Sequence, residues 1–271
     1  MTSLIRVEWL KMKKYNAFWW IMGITALSYP GINYLFYVIY SEVIQDQSKT
    51  GQLAKMLIGN PFSFPEVWHT VAYASSIFIF IPAVVVIMFI TNEYSFKTHR
   101  QNIIDGWSRS QFVTSKLIDV LLITLLITGL YLGVCLVTGF ANQERLIKNT
   151  WGKSQFIGLF ALQTFAQLSI AFLIGFVVRK AFLALGIFFF YIIFEQFLVA
   201  LLRYYDSSAR FFLPMEASDR MIPVPGFLGK LDPEIYKKAL DAVQQQVFIV
   251  VIYTAFIWGI CYWVNRKRDL K

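Results

Sequence analysis

The chain has 271 residues, 57% of them apolar and 15% charged, with a mean hydropathy of +0.56 and a formal net charge of +9. This balance excludes an ordinary soluble domain of the same length and points to a membrane protein. No polar segment is long enough to fold by itself, so residues 1–271 read as a single transmembrane domain.

Residues 1–16 carry Arg6, Lys11, Lys13 and Lys14 among apolar positions and predict a basic interfacial helix. Six apolar runs then approach the roughly 20 residues that cross a hydrocarbon core as helix. They lie at about 17–40, 71–90, 117–140, 155–178, 181–202 and 247–264. Each run is continuous rather than alternating, which favours helices over barrel strands. The first run is too long for a signal-peptide core and lacks a small-residue cleavage site, so it reads as an anchor. The expected fold class is all-α integral membrane, with six transmembrane helices.

Local signals punctuate this pattern. Pro30-Gly31 and Pro82 are expected to kink the first and second spans, because proline removes a backbone donor. Ser63 with Glu66 reads as a capping box opening the second span, and Asp232-Pro233 as the cap and first turn of a short helix leading into the sixth. Gly129 and Gly133 form a Gly-x-x-x-Gly in the third span, read as packing within the subunit. The segment 203–246 alternates apolar clusters with helix breakers, and two placements are open, on the surface or dipping back into the bilayer.

Six spans put both ends on one side. That side holds 14 of the 25 Lys and Arg residues, whereas the opposite segments hold 11 and balance them with ten of the 16 acids. The positive-inside rule therefore makes both termini cytoplasmic, and orientation against anionic lipid accounts for the net charge without a nucleic-acid partner.

Catalytic chemistry finds little support. "WGKS" at 151–154 has Ile147 where a phosphate-cradling loop needs glycine, and the chain has no nucleotide site of its own. His69 and His99 fall in loops on opposite sides, away from any haem-ligating or metal-binding arrangement. The acid deepest in a span is Glu195, followed by Gln196, and Gln163 and Gln167 share one face of the fourth span. These four either line a translocation path or hydrogen-bond helices to one another.

The polar stretch 91–116, "TNEYSFKTHRQNIIDGWSRSQFVTSK", lies between the second and third spans. Its order resembles the cytoplasmic segment of ABC-2 type permeases: a Glu after the second span, Thr and Arg a few residues later, Ser-Arg, an aromatic, and a Lys opening the third span. Glu93, Thr98, Arg100, Ser108, Arg109, Phe112 and Lys116 take those places, with Gly106-Trp107 departing from the usual residues before Ser-Arg. The minimal turn at Arg179-Lys180, the long segment before the last span and the basic tail extend the likeness to the whole chain, which looks most like the bacterial permeases of the bacitracin, lantibiotic-immunity and copper-processing exporter group.

The resemblance implies a coupling helix seated on a separate P-loop ATPase subunit present in two copies, with a second permease copy completing the transporter. ATP and Mg would be bound by that partner, and no cofactor by this chain. Ile103, Trp107 and Phe112 would be apolar anchors, and Arg100 and Arg109 would meet partner carboxylates. The location implied is the bacterial cytoplasmic membrane. Two other classes remain open: a membrane scaffold that only holds partners, and a proton-coupled transporter using Glu195.

Overall fold

The structure, a computed structural model, describes residues 2–45, 59–143, 149–229 and 233–267. Among these residues every regular element is helical. α1 (Thr2–Lys14) and α2 (Asn16–Gln45) are followed by α3 (Val67–Ser76), α4 (Phe80–Ser95), the short α5 (Thr98–Ile104) and α6 (Arg109–Ala141). Then come α7 (Gln155–Val178), α8 (Ala181–Tyr204), a 3-10 turn (Ser208–Phe212), α9 (Pro214–Asp219), α10 (Gly226–Gly229) and α11 (Pro233–Lys267).

Four helices, α6, α7, α8 and α11, are each long and apolar enough to cross a membrane, and α3 with α4 makes a fifth span bent by 52°. The first expected span, 17–40, corresponds to α2. It has 30 residues, yet its Tyr, Trp, Ser, Asn and Pro content leaves it outside that set. The chain is thus a helical multi-pass membrane protein in which, among the described residues, four spans, or five with the bent pair, pass on length and apolarity.

The bend in the second span falls at residues 77–79, around Phe78, whose carbonyl lies one turn before Pro82 and would meet its ring in a straight helix, so the kink expected from Pro82 is found there. Pro30, by contrast, sits inside α2 without interrupting it. The Ser63 capping box does not form: Glu66 makes no cap, and its carboxylate accepts instead from Lys153 at 2.7 Å. Asp232 lies outside the described residues, but Pro233 does open a helix. That helix runs unbroken into the last span, so no separate short element precedes it.

α7 is the central element, packed by α3, α4, α6, α8 and α11. Its closest approach is to α4. A Cβ on Gly175 would lie 2.6 Å from Ile90 Cγ2 and 3.4 Å from the Ile87 Cα, so a side chain there would drive the two helices apart. Gly129 and Gly133 behave differently. Nothing lies within 4 Å of a Cβ at either, and they face an open groove of about 720 Å³ between α2 and α6 rather than a packed neighbour. His69 is also not in a loop. It is buried in α3, stacked on Phe156 with ring centroids 4.0 Å apart, and its Nε2 is 2.7 Å from the Pro223 carbonyl.

Candidate functional site: a buried charge cluster behind the 91–116 segment

α4 ends where Lys97 turns left-handed (φ 56), and α5 ends before Gly106, whose φ of 98 suits glycine alone. The Gly106-Trp107 departure from the family pattern is therefore a sharp turn. It delivers Ser108 in extended geometry as the cap of α6. Ser108 Oγ accepts from the Gln111 N–H at 3.2 Å, and Gln111 Oε1 accepts from the Ser108 N–H at 2.7 Å.

These breaks bring the two ends of the segment together. Lys116 Nζ, 1% exposed, donates to Glu93 Oε1 at 2.9 Å, to Glu8 Oε2 at 2.7 Å and to Asp119 Oδ2 at 3.0 Å. Lys11 Nζ reaches Glu8 Oε1 and Glu93 Oε1, each at 3.0 Å. Thr98 Oγ1 donates to Glu93 Oε2 at 3.0 Å, so both carboxylate oxygens of Glu93 are occupied. The rings of Phe89 and Phe112 lie 5.1 and 5.8 Å from Lys116 Nζ and shield it from water. Three acids and two lysines from α1, α4 and α6 thus share one buried site, where every charge depends on its neighbours.

Burial would raise the Glu8 carboxyl, but Lys116 and then Lys11 outweigh it and hold Glu8 below the ordinary carboxylate range. Loss of water around His99 pushes its imidazole down, so the ring is neutral at pH 7. Its Nδ1 lies 3.2 Å from the Glu93 carbonyl oxygen, which can only accept, so Nδ1 carries the proton.

The candidate docking residues are distributed unevenly. Phe112 is 2% exposed and packs inward, so the expectation that it anchors a partner is corrected: it belongs to the wall of the cluster. Arg109 is tied to the last helix, Nη1 donating to the Arg266 carbonyl at 2.8 Å while Asn265 Nδ2 donates to the Arg109 carbonyl at 2.7 Å. Ile103 and Arg100 are half-buried. Trp107, also half-buried, has Lys11 Nζ 5.7 Å from its ring. Phe96 and Ile104, by contrast, are 74% and 78% exposed and form the apolar tips of the segment.

The second candidate set, Glu195, Gln163, Gln167 and Gln196, is also organised. Glu195 Oε1 accepts from the backbone N–H groups of Met215 at 2.7 Å and Glu216 at 3.0 Å, the open amides at the start of α9. Gln163 and Gln167 donate to Asp219 Oδ1 at 2.9 and 2.8 Å. The connection after α8 therefore folds back against the spans and is held at both ends of α9. Gln196 makes no part of these ties and faces a cavity beside them.

Sequence reasoning missed Glu8, Lys11, Asp119 and Asp219 as site residues. Asp119, three residues after Lys116, could have been found from helix spacing. Glu8 pairs locally with Lys11, but its tie to Lys116 spans 108 residues, and Asp219 meets Gln167 from 52 residues away.

No curated protein matches the chain. A family model described as "ABC-2 family transporter protein" matches residues 4–195, which include most of α1, the whole charge cluster and Glu195. The chain, with its all-helical membrane architecture, accordingly belongs to the ABC-2 family of transporter proteins and is a membrane component of such a transporter.

Proposed function

We propose that the chain is the permease half of an exporter in the bacterial cytoplasmic membrane, with both termini in the cytoplasm. It pairs with a second permease copy and with two copies of a P-loop ATP-binding subunit, which bind ATP and Mg. The substrate is amphipathic or hydrophobic, such as a peptide antibiotic, a drug or a lipid. The observation that carries the reading is the contact between Lys116 and Glu93, 2.9 Å apart at the two ends of the 91–116 segment. A segment clamped at its base moves as one body, so a push on its tips reaches α4 and α6 together, and α1 with them through Glu8. Phe96 and Ile104 supply apolar contacts for the partner, with Arg100, Ile103 and Trp107 beside them.

The experiment is purification of the tagged chain from its native membrane in mild detergent, with mass spectrometry of what accompanies it. Recovery of a P-loop ATPase, lost on Arg100→Ala combined with Ile104→Ser and kept on Tyr204→Ala at the opposite side, is the expected result. Intact preparations that carry no ATPase in several detergents would sink the reading.

A further inference from the structure

A cavity of about 450 Å³ lies where the broken second span, α7, α8 and α9 meet. Its volume is in the range of small-molecule sites. Ser76, Ile77 and Phe80 at the bend and Met215 and Asp219 of α9 line it. Phe80, Phe189 and Ile193 give it an apolar wall, whereas Gln167, Gln196 and Asp219 place polar groups at one side.

Asp219 is open to this space and differs from its neighbouring acids. Glu216 is paired with Arg220 at 3.1 Å, and Glu195 is enclosed and holds the α9 amides. Both glutamine amides donate to Oδ1 of Asp219, an exposed residue of the cavity lining, and among the described residues no cation forms an ion pair with this carboxylate. A fixed acceptor backed by two amides, set beside an apolar wall, is complementary to a ligand that is apolar over most of its surface and positive at one end.

We propose that this cavity binds an amphipathic monocation, its positive group at Asp219 and its apolar body against Phe80, Phe189 and Ile193. The proposal rests on the transport reading above and names its substrate class. The amides of Gln163 and Gln167 hold the carboxylate in place, and Gln196 offers a further polar contact at the mouth.

The test uses the full-length chain alone, in neutral detergent, with equilibrium dialysis of tetraphenylphosphonium and of the size-matched anion tetraphenylborate, corrected for empty micelles. Wild type is expected to bind the cation saturably and to show no such binding of the anion. Asp219→Asn keeps an oxygen for both glutamine amides yet removes the charge, and should weaken cation binding at least tenfold. Ile193→Trp, at a position 70% exposed, fills the space without touching Asp219 and should do the same. Elution volume and helical ellipticity verify that both variants fold. Cation binding at wild-type strength in both variants, or equal binding of the two ions, overturns the proposal. Added phosphatidylethanolamine separates two sources of the ligand: competition marks an ammonium-headed lipid, and its absence a free amphipath. No ATPase is present, so failure here leaves the half-transporter reading standing, and failure to recover an ATPase leaves this binding result intact.

Discussion

Lys116 Nζ and Glu8 Oε2 are 108 residues apart in sequence and 2.7 Å apart in space, and their ion pair fastens α1 to the span that follows the polar 91–116 segment. Replacing Lys116 by Met would keep the side-chain volume and leave Glu8, Glu93 and Asp119 facing one another without their shared cation. Breaking a buried pair from one side costs about 3–5 kcal/mol. We expect a marked fall in thermal stability in detergent, recovered in part by adding Glu8→Gln to the same chain. Equal melting of wild type and Lys116→Met would show that the cluster contributes nothing.

The same contact has a pH signature. The Glu8 carboxyl lies below its ordinary value in the folded chain, so its stabilisation is present above about pH 4.5 and is lost as the pH falls through the lowered value. Spin labels on the exposed positions Leu10 and Gln111 should keep a narrow distance distribution from pH 8 to pH 5 and broaden only in stronger acid. Broadening near pH 7 would remove Glu8 from the account.

Glu195 works through an oxygen that accepts two backbone amides. Glu195→Gln retains such an oxygen, whereas Glu195→Ala strands both donors, at a cost of about 1–3 kcal/mol. Limited proteolysis of the connection between α8 and α11 should therefore be little changed in the first variant and accelerated in the second. The reverse order would mean that the charge matters more than the acceptor.

Glycine offers a paired comparison. Gly175→Val forces a side chain onto Ile90 and the backbone at Ile87, and overpacking of this kind costs about 1–3 kcal/mol. Gly129→Val and Gly133→Val meet open space and should leave melting within about 0.5 kcal/mol of wild type, the range of substitutions away from packed features. Thermal unfolding of the three variants decides the matter.

The elements read most faithfully from sequence are those with one signal and no competitor. The fourth span, Gln155–Val178, and the fifth, starting at Ala181, are bounded where the apolar run meets Arg179-Lys180, and the helix ends fall at the same residues. Glu93 and Lys116 were legible as the ends of a polar segment between two spans, but their direct contact was not. It depends on three breaks, at Lys97, Gly106 and Ser108, whose combined angle no local pattern encodes. Phe112 and Ile104 show the same limit from the other side. Both are apolar residues in a polar stretch, and which one turns inward is decided by the phase of the helix each sits on, α5 for Ile104 and α6 for Phe112. Glu195 and the glutamines stood out because polar residues in a span need partners, yet the partners are backbone amides and Asp219 in a segment with no periodicity of its own.

α11 is longer than a bilayer requires. Its 35 residues rise to roughly 52 Å as a single helix, against a hydrocarbon thickness of about 30 Å. Even with the usual tilt, a shaft of several turns projects beyond the lipid at the Pro233 end. At the other end the same rod carries Arg266, whose carbonyl is gripped by Arg109 at the end of the 91–116 segment's last turn, where α6 begins. Torque applied in the water on one side of the membrane thus has an unbroken mechanical axis to the residue that begins α6 on the other.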